Sequence, residues 1–172
     1  MNMNNEIKRR WISLFVENET GILARISGLF AGKLNNIDSL TVGVTEDPTV
    51  SRMTISLTSD EQTFEQVKKQ LNRSVEVIKV IDFTDIPIRM KEILFIKVYN
   101  CNDRDKNDIF HMAQTFKFDV VDYDKTTILI ESCKNEAKND HIIELMKKMY
   151  GSRIEVVRGG NVAIQSISMP ER

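Results

Sequence analysis

At 172 residues the chain has room for one ordinary domain or two small ones, and 41% apolar with 28% charged residues is a globular mix, not a disordered one. The 24 Lys and Arg against 25 Asp and Glu leave a formal charge of -1, so no strong field draws the chain to phosphate backbones or anionic membranes, and nucleic acid is disfavoured as a partner. Apolar runs such as "EILFIKV" fall far below the ~18 residues of a membrane span, and no apolar signal region follows "MNMNNEIKRR"; no membrane contact and a cytoplasmic location are the expectation.

Arg9 to Val16, "RRWISLFV", is short and rich in β-formers and reads as a strand. Ile12, Leu14 and Val16 share one face of it, Trp11, Ser13 and Phe15 the other. If helices cover the aliphatic face, the aromatic pair is left for a partner sheet, another domain or solvent, unless an edge of the core reaches round to it. After Gly21, Ile22, Ile26, Leu29 and Phe30 fall on one stripe of an amphipathic helix, with Thr20 as its candidate cap. "IDSLTVGVTE" places Leu40, Val42 and Val44 on one face, and "VSRMTISLT" places Met53, Ile55 and Leu57 opposite Arg52, Thr54 and Ser56. Asp47-Pro48 between them is turn chemistry, so the two strands form a hairpin. Phe64, Val67 and Leu71 mark a second helix, and "VEVIKVIDF" a fourth strand.

The order β-α-β-β-α-β then repeats after an interruption at Pro87. "EILFIKVYN" is a strand, and Ile109, Met112, Ala113 and Phe116 lie at helical spacing. "FDVVDY" and "TTILIES" flank an Asp124-Lys125 turn; Ile142, Leu145, Met146 and Met149 form the next stripe, and "RIEVVRG" ends the cycle. The fold class is therefore α+β: two ferredoxin-like βαββαβ domains in tandem, at 9–83 and 90–168, divided near Thr84 to Met90. Such a unit packs both helices on one sheet face and leaves the other open, which needs a partner.

Catalytic chemistry is missing. His111 and His141 have no Ser or Cys partner in a recognisable motif and read as surface or helix-end histidines. Cys101 and Cys133 stand far apart without metal-ligand spacing and read as small core hydrophobes, so no metal or disulfide is expected. The charge runs "KNEAKND" and "DRDKND" read as solvated helix starts. "SGLFAG" matches no phosphate loop, and "VSRMTISLT" lacks the aromatics that the RNA-recognition version of this fold uses. Binding remains as the function class.

The turn Asn18-Glu19-Thr20-Gly21 suits a small zwitterion. A helix start leaves N–H groups unpaired and carries partial positive charge, glycine allows close backbone approach, and an asparagine amide can both donate to a carboxylate and accept from an ammonium. The same residues also make an ordinary turn, and on local grounds both readings stand.

"ENETGILARISGLF", then "NIDSLTV" and the specific string "DPTVSRMTI", resembles the regulatory (small) subunit of acetolactate synthase, also called acetohydroxyacid synthase, whose N-terminal half is an ACT domain. "KEILFIKV", "DIFHMAQTFKFDVVD" and "RGGNVAI" resemble that family's second domain in order and spacing, so nearly the whole chain is covered. The resemblance implies a homodimeric, non-catalytic subunit that activates a large catalytic subunit and confers feedback inhibition by a branched-chain amino acid, usually valine. Thiamine diphosphate, Mg and FAD are expected only in that partner. It also implies an effector site between two ACT domains, formed by Asn18, Gly21 and Ile22 of one and Asn36 and Ile37 of the other. The family generally carries a glycine and an aromatic before the second-loop asparagine, whereas this chain reads Lys33-Leu34-Asn35-Asn36; Asn35 is the candidate for the left-handed turn. The other reading is a stand-alone amino-acid-sensing ACT regulator, against which the near-neutral charge and lack of a DNA-binding segment count.

Overall fold

The computed structural model describes residues 7–31 and 37–167. The order is β1 (Lys8–Glu17), α1 (Ile22–Ala31), β2 (Ile37–Val44), β3 (Val50–Ser59), α2 (Glu61–Leu71), β4 (Val77–Asp82), β5 (Ile88–Val98), α3 (Asp103–Phe116), β6 (Asp119–Tyr123), β7 (Ile128–Lys134), α4 (Glu136–Tyr150) and β8 (Ile154–Gln165). Two four-stranded sheets result, ordered β2-β3-β1-β4 and β6-β7-β5-β8, which is the ferredoxin-like arrangement twice over.

Two compact units divide the chain. The first runs to Arg89 and takes in the chain again from Val162 onward; the second is Met90–Asn161. The sequence reading placed the tail with the second domain, and β8 is in fact longer than the run "RIEVVRG", continuing through Gly159 and Gly160 to Gln165. Gly159 is needed there, because a Cβ would lie 2.5 Å from Cγ2 of Ile93. The glycine pair that reads as a strand end lies inside a strand, with a close approach at Gly159 and a left-handed backbone at Gly160 (φ +78°).

In the first unit Ile12, Leu14 and Val16 of β1 and Met53, Ile55 and Leu57 of β3 are buried against Ile22, Ile26 and Phe30 of α1 and Phe64, Val67 and Leu71 of α2. Period-2 strands meeting period-3.6 helices dictate this layer. On the edge strand β2 Ile37 and Leu40 pack on the core, whereas Val42 and Val44 are exposed. The helix-free face is less open than its polarity suggested, since Ser13, Thr54 and Ser56 are buried there.

The second core gathers Leu94, Ile96 and Val98 of β5, Ile128 and Ile130 of β7, Ile109 of α3, and Ile142, Met146 and Tyr150 of α4. The α4 stripe is thus Asn139, Ile142, Met146 and Tyr150, whereas Leu145 is half-buried and Met149 exposed. Cys101 is buried as expected, but Cys133 is exposed: it pairs in register with the exposed Ile93 on the face away from the helices.

Candidate functional site

β1 ends at Glu17, where it pairs with Val50 at the start of β3. The next residue fastens this end of the sheet. The backbone N–H of Asn18 donates to the carbonyl of Thr49 (2.7 Å), its Nδ2 donates to the carbonyl of Pro48 (2.9 Å), and its Oδ1 accepts from the Ser51 hydroxyl (3.0 Å). The hairpin it grips is self-organised: the Asp47 carboxylate accepts from the hydroxyl and the backbone N–H of Thr49, which together hold its pKa below the usual carboxylate value. Asn18 keeps one N–H and one oxygen lone pair for something else.

Gly21 has φ +89°, a left-handed conformation that side-chain-bearing residues resist, and its carbonyl accepts from the Arg25 N–H at 3.1 Å. Gly21 therefore stands at the cap position expected of Thr20, and as glycine it offers no side chain to the orphan amides of the first turn. A Cβ placed on it would meet nothing within 4 Å, so the space before the helix start is open. The Ile22 side chain is 4% exposed and belongs to the core, which leaves its backbone as its contribution to this loop. Arg25 pairs with Glu76, just before β4, and Glu76 is held below the usual carboxylate range by its own backbone N–H and by that guanidinium.

Ile37 is elsewhere. It opens β2 opposite Leu57 and packs half-buried on the core, whereas Asn18 follows the residue opposite Val50. Seven residue steps along β3, from Val50 to Leu57, separate the two levels, about 23 Å at ~3.3 Å per residue. One copy of the chain brings Asn18, Gly21 and Ile22 together and sets Ile37 at the other end of the sheet. Asn36, with Lys33, Leu34 and Asn35, lies outside the described residues.

The two histidines occupy exposed helix positions, His141 with its ring 5.9 Å from that of Phe116. Among the described residues no group of three His, Cys, Asp or Glu could hold a metal ion, and no helix is long and apolar enough to cross a membrane. Reading the sequence missed a buried polar cluster in the second unit. Arg158 donates to both oxygens of Glu92, which is 3% exposed, and to Asp140 at 2.7 Å. Asn139, fully buried, donates to Glu92 and accepts from Ser132. "KNEAKND" is only partly a solvated helix start: its Asn139 lies inside the domain.

A tandem of ferredoxin-like units, the first with a glycine-opened helix start at the end of its sheet, defines a protein of ACT-like domains. The model described as "AHAS small subunit-like ACT domain" matches residues 12–79, and that described as "Small subunit of acetolactate synthase" matches 91–167. The chain belongs to the acetolactate synthase small-subunit family. It is 39% identical over 160 residues to the acetolactate synthase small subunit of Aquifex aeolicus, covering 93% of this chain and 82% of that one. With the small subunit of Bacillus subtilis it shares 37% over 156 residues, 90% of this chain and 89% of the other. The crystal structure of the small subunit from Thermotoga maritima superposes with a TM-score of 0.83 at 30% identity, over 95% of this chain and 100% of that one.

Proposed function

We propose that this chain is the regulatory subunit of acetolactate synthase: it activates a separate thiamine-diphosphate-dependent catalytic subunit and makes it sensitive to a branched-chain amino acid, valine first. It forms no acetolactate itself, and thiamine diphosphate, Mg and FAD belong to its partner. One observation carries the effector reading. The two halves of the candidate site, at Asn18–Ile22 and at Ile37, lie at opposite ends of one sheet, and β2 is an edge strand. Pairing β2 with β2 of a second copy about a two-fold axis, antiparallel, sets the Ile37 end of each copy beside the Val44 end of the other, next to the Asn18 loop. A dimer therefore completes two equivalent sites that a monomer lacks.

The chemistry of such a site suits an aliphatic amino acid. First-turn amides and the helix dipole meet its carboxylate, the free lone pair of Asn18 meets its ammonium, and the half-buried Ile37 meets its side chain. The test is co-expression with a large subunit, light scattering on this chain alone, and activity with and without valine, leucine and isoleucine. A dimer that co-purifies with the large subunit, raises its turnover and confers inhibition is the expected result. A monodisperse monomer at micromolar concentration that leaves a large subunit's rate unchanged would defeat the proposal and favour a stand-alone sensor.

A further inference from the structure

The helix-free face of the first sheet carries a cavity of about 500 Å³ beside the β2–β3 hairpin, closed on one side by the tail of β8. Its volume falls in the range of small-molecule sites, ~300–1,000 Å³. Its lining includes Gly43, where an added Cβ would meet nothing within 4 Å, together with Thr54, Phe15 and the buried Ala163.

Arg52 governs its chemistry. It is half-buried, with Cζ 5.1 Å from the centre of the Phe15 ring, Nε donating to the Ser13 hydroxyl (2.9 Å) and Nη2 donating to the carbonyl of Ala163 (3.1 Å). A guanidinium has five N–H donors, and among the described residues the others have no partner. Arg10, Arg25, Arg153 and Arg158 each pair with a carboxylate, yet Arg52 forms no ion pair among the described residues. A cation positioned by neutral groups, with spare donors beside a cavity, lacks an anion. Glu46 lines the same cavity and supplies the opposite charge for a ligand that also carries an amine.

We infer that this cavity is a second small-molecule site of the chain, for a short aliphatic carboxylate held by Arg52 beside Gly43. An α-amino acid and the corresponding 2-oxo acid share that chemistry; the first would also engage Glu46. The inference does not depend on the loop at Asn18.

Calorimetric titration of the full chain with L-valine and with 2-oxoisovalerate tests it, using wild type, Gly43→Leu, Arg52→Gln and Asn18→Ala. Gly43→Leu adds bulk to the lining without removing a side-chain hydrogen bond, and Arg52→Gln removes the charge while keeping a donor for Ala163. Melting curves select the variants that fold. Losing a charge-assisted hydrogen bond weakens binding by about ten- to a hundredfold, so both cavity variants should lose affinity for at least one probe by that factor. Asn18→Ala should retain this binding. Binding by valine alone assigns the ammonium to Glu46; binding by both probes shows that the carboxylate suffices. If neither probe binds wild type, or if both cavity variants titrate like wild type, the inference is overturned. If Asn18→Ala abolishes all binding, the loop is the one site and the inference fails. If Asn18→Ala titrates like wild type while Gly43→Leu loses binding, the effector reading of the loop fails and this one stands.

Discussion

Arg158 meets Glu92 side-on, with Nε 2.8 Å from Oε1 and Nη2 2.7 Å from Oε2. The two charges are unequally covered, Glu92 being 3% exposed and the Arg158 side chain 36%. The carboxylate is the group that would suffer from separation, and Asn139 also donates to it. Removing one partner of a buried pair costs about 3–5 kcal/mol, less where one partner reaches solvent. Arg158→Met should therefore destabilise the chain by about 2–3 kcal/mol in urea unfolding, and Arg158→Met with Glu92→Gln should recover part of that loss by removing the stranded charge. A double variant no more stable than Arg158→Met would show that packing, not the carboxylate, sets the cost.

Tyr150 gives the alkaline limit. Burial, then the carboxylates of Asp105 and Asp108, push its pKa up to about 12 from an ordinary value near 10. The folded state holds the proton more tightly than the unfolded chain. Its contribution is therefore complete below pH ~10 and is lost as pH rises through about 12. Stability followed by chemical denaturation should decline across that window, and Tyr150→Phe should flatten the decline. At neutral pH the variant loses one long hydrogen bond to the Asp105 carbonyl (3.4 Å), so its cost there should stay below about 1 kcal/mol. An alkaline decline as steep in Tyr150→Phe as in wild type would place its origin elsewhere.

The elements that the sequence revealed are those whose burial is apolar and periodic. Ile12, Leu14 and Val16, or Phe64, Val67 and Leu71, announce their layer by spacing alone. Asn139 and Glu92 are equally buried but polar, and their partners lie on other elements, so hydropathy spacing hides them and shifts the α4 stripe toward the exposed Met149. Gly159 and Gly160 look like a terminus because a strand glycine justified by Ile93 cannot be told from a turn glycine without the neighbouring strand. At the candidate site the helix start at Gly21 and the grip of Asn18 follow from local sequence. That Ile37 lies seven residue steps away along β3 follows only from strand register, which no local window contains.

Gly21 separates conformation from crowding. A Cβ there meets nothing within 4 Å, so a side chain at this position strikes no other part of the described chain, and what remains is the left-handed backbone at φ +89°. Gly21→Ala should cost about 1–2 kcal/mol of stability through that strain alone. Gly21→Asp adds a carboxylate where the effector's own should sit, so it should abolish valine binding at this loop by repulsion, while Gly21→Ala weakens binding there to a lesser degree. Calorimetry on the two folded variants checks this. Equal, unchanged valine affinity in both would remove the loop from the effector site.

Asn18 separates activation from inhibition. Its side chain makes two hydrogen bonds within the chain, to Pro48 and from Ser51, both near the surface, so Asn18→Ala should cost about 1–2 kcal/mol and leave the fold intact by circular dichroism. The effector is expected between two copies of the first unit, whereas an activating surface must face the catalytic subunit. The two functions then draw on different residues and couple only through the effector's differential affinity for two states, commonly ~1–3 kcal/mol. Valine should accordingly reduce activity severalfold to about a hundredfold in the wild-type complex without dissociating it, and Asn18→Ala should give a complex that is still activated but no longer inhibited. Steady-state assays of the reconstituted enzyme, with complex integrity followed by light scattering, read both outcomes together. A folded Asn18→Ala chain that fails to activate would mean that one surface serves both functions, because a residue confined to the effector site has no means of changing the rate in the effector's absence.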